Sequence, residues 1–196
     1  MNQDRRDRLR DAAIAVLAEA GGRGLTHRAV DAAADVPTGT AKNYFPTRDA
    51  LLRAVAERCV EQYRAVPASL VGAGPGPADA RQLAALLAGL LRDVAGPGRP
   101  RVLAYLELLT EGTRRPWLAA LLDPIAAGDF AAHEQLLHAA GLPAGPERAR
   151  ALTLALHGAV PHLLSGAPAT LTAAGLDDLD RFARALLASV CPEETP

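Results

Sequence analysis

The chain has 196 residues, of which 49% are hydrophobic, 22% are charged and 4% are aromatic, and its formal net charge is −1. This balance excludes a disordered chain and a generally basic nucleic-acid binder, while abundant Ala, Leu and Arg favour helices over strands. The charged N-terminus is unlike a signal peptide and no apolar run is long enough to span a bilayer, so we expect a cytoplasmic protein without a membrane partner.

The first predicted helix covers residues 4–20, where apolar residues recur at helical spacing before Gly21 and Gly22 end it. Positive charge in its first turns opposes the helix dipole. The arginines there form either a solvated face, partly neutralised by neighbouring aspartates, or an arm that contacts phosphate. They are Arg5, Arg6, Arg8 and Arg10.

A second helix is predicted after Thr26, whose hydroxyl is suited to capping, with Ala29, Val30 and Ala33 turned inward. Pro37 ends this helix because it pushes the preceding residue out of the helical region.

Pro37 is also well placed to open a third helix over residues 38–44. Thr47 then caps a longer helix, with Asp49 in its first turn, that fades near Pro67. Two short helices separated by a tight turn are the helix-turn-helix arrangement, whose second helix enters the DNA major groove.

The third helix carries a dense set of polar groups. Gly39 removes a side chain near its start, which lets the backbone approach another surface closely, and Lys42 is the only lysine in the chain. Taken alone, such a helix is also compatible with an ordinary solvated face. Its hydrogen-bonding side chains are Thr38, Thr40, Lys42, Asn43 and Tyr44.

This stretch resembles the DNA-binding domain of the TetR family of bacterial transcriptional regulators. The matching residues are Gly22, Gly24, Leu25, Thr26, Val36, Pro37, Gly39, Thr40, Tyr44, Phe45, Thr47, Arg48, Asp49, Leu51 and Leu52. Asp35 replaces the usual glycine, Ala41 a leucine and Lys42 a tyrosine, and the last two changes alter the surface that reads DNA.

The resemblance implies an operator-binding surface. Lys42, Thr40 and Asn43 are expected at base edges or adjacent phosphates, while Arg28 on the preceding helix reaches a base in the groove. Further contacts hold the DNA backbone. The full predicted set is Thr26, Arg28, Thr38, Gly39, Thr40, Lys42, Asn43, Tyr44 and Arg48.

The remainder of the chain reads as an all-α bundle. We place a three-helix DNA-binding domain at residues 1–52 and a helical ligand-binding and dimerisation domain at residues 53–196, with a Gly- and Pro-rich loop over residues 71–77. The later predicted helices cover residues 78–95, 101–111, 116–140 (with a kink at Pro124), 147–165 and 176–190.

No enzyme signature is present, and neither a cofactor nor a metal is expected. The pairs His133/His138 and His157/His162 have a spacing of five, which separates the partners by about 140° around a helix. Cys59 and Cys191, far apart in sequence, are expected to be free thiols, and a redox role stays open.

His157 lies on the most apolar predicted helix, next to Gly158 and four residues before Pro161. Because proline cannot donate to the carbonyl of residue i−4, this helix should bend there and leave a free carbonyl beside the imidazole. The group either senses a ligand or is a histidine satisfied within the core. The predicted ligand-binding residues are Leu86, Leu90, Tyr105, Leu106, Trp117, Leu121, Phe130, Leu154 and His157.

We therefore predict a transcriptional repressor that binds a palindromic double-stranded operator as a homodimer and is released by a small, mostly apolar effector. By resemblance, the dimer forms through residues 147–165 and 176–190. The predicted interface residues are Leu152, Leu156, Leu163, Phe182 and Leu186. Alternatives are a helical ligand-binding or enzymatic bundle with a vestigial helix-turn-helix, and an activator or ligand-independent DNA organiser.

Overall fold

The computed structural model describes residues 3–71 and 76–192, with side chains throughout except at residues 66–71. Within these residues the fold is entirely α-helical, as the composition predicted. The helices are α1 (Gln3–Gly24), α2 (His27–Ala33), α3 (Thr40–Tyr44), α4 (Arg48–Val71), α5 (Ala80–Ala95), α6 (Arg99–Gly112), α7 (Pro116–Ala139), α8 (Pro146–Ser165), α9 (Pro168–Ala173) and α10 (Leu179–Val190).

Several helix boundaries differ from those predicted. α1 continues to Gly24 through a break at Gly21, where φ is 64°, and α4 runs on through Pro67 to Val71. Sequence reasoning missed α9, and the last helix begins only after Asp178, whose carboxylate accepts the Arg181 N–H at 2.9 Å. Residues 72–75 of the predicted loop lie outside the described part of the chain.

The chain divides into two compact units, Met1–Ala65 with Pro100–Ile125, and Val66–Arg99 with Ala126–Pro196. The first unit thus adds α6 and the start of α7 to the N-terminal helices. Its buried core includes Leu9, Leu17 and Phe45 together with Leu108 and Leu118. The inclusion of α6 and the start of α7 in the first unit depends on contacts between residues that are far apart in sequence. The functional division at residue 52 stays a prediction.

Arg10 fastens α1 to α4 inside the first unit. Its guanidinium, in a residue only 5% exposed, donates to the Ala54 carbonyl at 3.2 Å, to Asp7 at 2.9 Å and to Glu61 at 2.6 Å. Arg58 adds a second link, to Asp11 at 2.7 Å. Arg10 therefore belongs neither to a solvated face nor to a phosphate-contacting arm, which corrects both predictions for this residue.

The second unit packs α5, α8 and α10 around a leucine core. Leu83, Leu87 and Leu152 are fully buried there, next to Ala183 and Leu187 of α10. At about 25 cal/mol per Å² of apolar surface, this burial is the main stabilising term of the unit.

The Glu61 ion pairs predict a pH-dependent contribution to stability. Burial alone raises the pKa of Glu61, but hydrogen bonds from Arg10 and Arg58 outweigh burial and hold the pKa below its ordinary value of 4.5. The stabilisation is therefore fully present above pH 4.5 and is lost as the pH falls through the lowered pKa. We expect Glu61→Gln to reduce the free energy of unfolding at pH 7 and to differ progressively less from wild type below pH 4.5, as measured by urea unfolding. Glu57→Gln on the same helix is the control, and an equal loss at every pH would contradict the ion-pair explanation.

Candidate DNA-binding surface and ligand-domain sites

The connection between α2 and α3 is set by backbone hydrogen bonds around Asp35. The Thr26 hydroxyl caps α2 by accepting the Ala29 N–H at 3.1 Å, as predicted. At the other end Asp35 adopts φ 50°, and the Val36 N–H donates to the Asp31 carbonyl while the Asp35 N–H donates to the Ala32 carbonyl, both at 3.1 Å. This pattern is a Schellman motif with aspartate in the left-handed position that glycine usually occupies.

The turn that follows starts α3 later than predicted. Pro37 does not open the helix. It is the first residue of a turn that is closed by the Thr40 N–H, which donates to the Pro37 carbonyl at 3.1 Å. Gly39 is the N-cap at φ 94°, although a Cβ there would meet nothing within 4 Å. Its conformation, and not the space around it, requires glycine.

A buried carboxylate joins the two helices. Asp31 is 2% exposed, and its two oxygens accept the Gly39 N–H at 2.7 Å and the Ala41 N–H at 2.6 Å. Sequence reasoning missed this residue and instead turned Ala33 inward, which is exposed. A single acid among the alanines of α2 was the available signal.

The predicted DNA-binding residues divide by exposure. Lys42, Asn43 and Thr38 are exposed on and before α3, and Arg28 is exposed on α2. Thr26 is exposed as well, whereas Gly39, Thr40 and Tyr44 are half-buried. The Thr40 hydroxyl donates to the Pro37 carbonyl at 2.6 Å.

Arg48 has a structural task of its own. Its guanidinium donates to the Leu25 carbonyl at 2.7 Å and to the Gly22 carbonyl, so it fastens the start of α4 to the end of α1 and to the connection that follows α1. A phosphate contact through its remaining donors stays a prediction.

The predicted ligand-binding residues fall in both units. In the first unit, the Trp117 ring centroid lies 4.5 Å from the Arg53 guanidinium, and Tyr105 packs against Tyr63 with ring centroids 5.4 Å apart and ring planes tilted by 47°. Leu106 and Leu121 are half-buried in that unit, and Leu86, Leu90 and Phe130 are half-buried in the second.

Leu154, by contrast, is 62% exposed in the second unit, and its contact with a ligand stays a prediction.

His157 has a defined partner in the second unit. Its Nε2 lies 2.9 Å from Asp129 Oδ2, joining α8 to α7, and the His157 side chain is 39% exposed. One turn earlier on α8, the Thr153 hydroxyl lies 2.9 Å from Nδ1 of the buried His133. Burial lowers the pKa of His133, and Asp129 only partly offsets this, so that imidazole is neutral at pH 7.

The predicted dimer residues also divide. Leu152, Leu156 and Leu163 are between 0% and 8% exposed and belong to the core of the second unit, which corrects their assignment to an accessible interface. The reason is that α8 presents these side chains to α5 and α10 of the same chain. Phe182 and Leu186 are half-buried at the edge of that core.

A cavity that sequence reasoning did not predict lies in the second unit. Its volume is about 370 Å³, and Arg81, Leu142, Arg184, Leu187 and Cys191 are among its lining residues. The Cys191 thiol donates to the Pro143 carbonyl at 3.5 Å. None of the predicted ligand-binding residues lines this cavity.

The chemistry of the remaining groups is limited. Burial raises the pKa of the Cys59 thiol to about 12, so this cysteine stays protonated and unreactive at neutral pH. The described residues contain no cluster of three or more His, Cys, Asp or Glu able to hold a metal ion. In the same part of the chain, every helix is too short or too polar to cross a bilayer.

A tight turn between α2 and a short helix with an exposed polar surface, followed by a larger helical unit, defines a regulator of the helix-turn-helix class. A family model described as "Tetracyclin repressor-like, C-terminal domain" matches residues 78–192. The chain belongs to the tetracycline repressor (TetR) family, as the resemblance predicted.

Solved structures with similar folds include members of the same family. The multidrug binding protein EbrR, complexed with imidazole, is 32% identical with a TM-score of 0.64, covering 99% of this chain and 98% of its own. Other EbrR structures hold proflavin, ethidium or malachite green. The TetR-family member SCO1917 from Streptomyces coelicolor A3 is 33% identical with a TM-score of 0.67, covering 96% of this chain and 99% of its own.

A transcriptional regulator from Rhodococcus sp. Rha1 has a TM-score of 0.74, covering 94% of this chain and 95% of its own, but is only 22% identical and supports the fold alone. No curated protein matches the chain.

Proposed function

We propose that this TetR-family regulator is a repressor that binds a palindromic operator as a homodimer and releases it when a small, mostly apolar effector binds. The observation that carries the proposal is the exposed polar surface of α3, where Lys42 and Asn43 point away from the core beside the buried Ala41. In a helix-turn-helix this is the surface that meets base edges.

The pairing of two chains follows from the small size of the reading head, which is the helix-turn-helix of α2 and α3 in one chain. One α3 helix of five residues contacts too few bases for operator affinity. Two heads related by a dyad, about 34–36 Å apart, meet successive major grooves on one side of the duplex.

The effector class is inferred from relatives. EbrR has been crystallised with proflavin, ethidium and malachite green, which are aromatic dyes carrying positive charge. We propose a similar aromatic, mostly apolar effector for this chain, with a polar or cationic group that Asp129 and His157 recognise. Leu86, Leu90 and Phe130 supply half-buried apolar surface in the same unit.

Selection of bound sequences from a random DNA pool tests the function directly. Purified full-length protein should enrich a palindrome whose half-sites are one helical turn apart, or a multiple of it. Failure to enrich any sequence would favour the alternative of a helical ligand-binding bundle with a vestigial helix-turn-helix. Binding that no effector changes would favour a ligand-independent DNA organiser.

Lys42→Ala distinguishes base contact from phosphate contact. If Lys42 meets a base, affinity for the selected operator should fall by about 1–3 kcal/mol and specificity should relax at one position per half-site. If it meets only phosphate, affinity should fall on all sequences alike and the salt slope should drop by about one per head.

Fluorescence anisotropy on operator and scrambled DNA at several salt concentrations measures both quantities. Arg81→Ala, which removes one exposed positive charge from the second unit, is the charge-matched control. Unchanged binding of Lys42→Ala to every DNA would exclude Lys42 from the interface.

A further inference from the structure

We propose that Asp31 is a positioning residue for DNA reading, which holds the start of α3 in place and occupies the amides that would otherwise face a phosphate. This inference rests on the proposed function, because it concerns how the same surface recognises DNA. Asp31 itself contacts no base or phosphate, since it is 2% exposed.

The Asp31 carboxylate bonds to two backbone amides at the start of α3. Its Oδ2 accepts the Gly39 N–H at 2.7 Å and its Oδ1 accepts the Ala41 N–H at 2.6 Å, so the group spans the N-cap and the second residue of α3. Hydrogen bonds to an ionised acceptor are about twice as strong as those between neutral groups. The carboxylate also lies at the positive end of the helix dipole.

The helix α3 has little else to fix its start. With five residues, it is far below the length at which a helix is stable by itself. Gly39 offers no side-chain cap. Asp31 supplies that cap from the neighbouring helix, and the Schellman turn at Asp35 sets the path between them.

The same hydrogen bonds limit phosphate binding at the start of α3. Free N–H groups at a helix N-terminus form a ready site for phosphate. Here the Gly39 and Ala41 amides donate to Asp31 and the Thr40 amide donates to the Pro37 carbonyl. All three amides at the start of α3 are therefore satisfied within the chain. With these three amides occupied, contacts from α3 to the DNA backbone rely mainly on its side chains, of which only Lys42 carries positive charge.

The test separates positioning from plain electrostatics, because the two predict opposite signs. Removing a negative charge from a DNA-binding head should strengthen binding to any duplex. Loss of positioning should instead weaken operator binding, since only the fraction of molecules with α3 correctly placed can bind. We expect Asp31→Asn, which keeps one acceptor oxygen and so loses one charged hydrogen bond, to lower the ratio of operator to scrambled-DNA affinity about 10-fold or more. Asp31→Ala loses both bonds and should lower the ratio further.

Glu19→Gln is the matched control, because it removes one exposed negative charge from α1 without a hydrogen bond among the described residues. It should leave the ratio unchanged. An unchanged ratio in the Asp31 variants, with both affinities equal to or above wild type, would overturn the proposal.

Amide hydrogen exchange tests the Asp31 hydrogen bonds in the absence of DNA. In the wild type, the Gly39 and Ala41 amides should be protected, and in both Asp31 variants they should exchange about tenfold faster or more while the amides of α1 and α4 keep their protection. Unprotected Gly39 and Ala41 amides in the wild type would contradict the two Asp31 hydrogen bonds, even if the variants fail to fold. If the wild type enriches no DNA sequence, the proposed function fails. The exchange result still decides whether Asp31 holds the Gly39 and Ala41 amides.

Discussion

Leu154→Arg should convert the protein into a monomer and reduce operator affinity at least about 100-fold. Among the side chains that the structure describes in the second unit, Leu154 is the most exposed large apolar one, at 62%, and Gly158 one turn later leaves open space where a Cβ would meet nothing within 4 Å. These features suit close packing of α8 against α8 of a second copy. A charged group placed there would be buried without a partner, which strongly disfavours association.

The size of the loss follows from tethering. Joining two reading heads makes the second binding event intramolecular and raises the overall affinity by about 10²–10⁴. Light scattering at micromolar concentration measures the assembly state, and anisotropy on the selected operator measures binding.

Leu109→Arg is the control for this prediction, since Leu109 is 40% exposed in the first unit and is not part of the proposed interface. It should remain dimeric and bind normally. A monomeric wild type, or a dimeric Leu154→Arg protein with full affinity, would contradict the interface. Leu186→Arg tests the contribution of α10, where Leu186 keeps part of its surface outside the core.

His157→Leu should leave operator affinity intact and blunt release by an aromatic cation. The His157–Asp129 contact at 2.9 Å joins α8 to α7. A cationic ligand group that binds Asp129 would displace His157 and so break this link between the two helices. An effector acts only through its different affinities for the two states, and couplings of about 1–3 kcal/mol change operator affinity about 5–150-fold. The variant should lose most of that factor.

Malachite green is the probe, and titration calorimetry measures its binding to the protein alone. Aromatic dye cations also bind duplex DNA, so release is judged by the difference between variant and wild type at equal dye concentration. His162→Leu, an exposed histidine on the same helix, is the control. A His157→Leu protein that responds as the wild type does would leave His157 with a purely structural role.

Reciprocity provides an independent check on the same mechanism. Operator DNA must weaken dye binding to the wild type by the same factor by which the dye weakens operator binding. Unequal factors would mean that the dye acts on the DNA and not through the protein.

Local signals in the sequence predicted the helices and their caps. Thr26 and Thr47 cap α2 and α4 as expected, because an N-cap needs only a hydroxyl within three residues of the amide that donates to it. Short-range patterns of this kind were enough to establish the all-α fold and the helix-turn-helix. Lys42 and Asn43 lie on α3 and are exposed, whereas Thr38 and Gly39 precede this helix, which was predicted to begin at Thr38.

Tertiary structure decided what no local pattern encodes. The sequence predicted Arg10 to lie on the surface. In the structure, its guanidinium donates to Glu61 and to the Ala54 carbonyl, both of which are far from Arg10 in sequence. Leu152 and Leu154 are two residues apart on one apolar helix, yet the first is fully buried and the second is 62% exposed. Helical periodicity gives the angle between two such side chains but not which neighbour either will meet.

Asp31 shows the same limit at the candidate site. The sequence places one acid on the short helix α2, and nothing in the local pattern assigns it a partner. Only the path of the chain through Asp35 and Gly39 brings two amides of α3 within 2.7 Å of its oxygens. A buried charge is stable only where such donors are already in place, and their placement is a property of the folded chain.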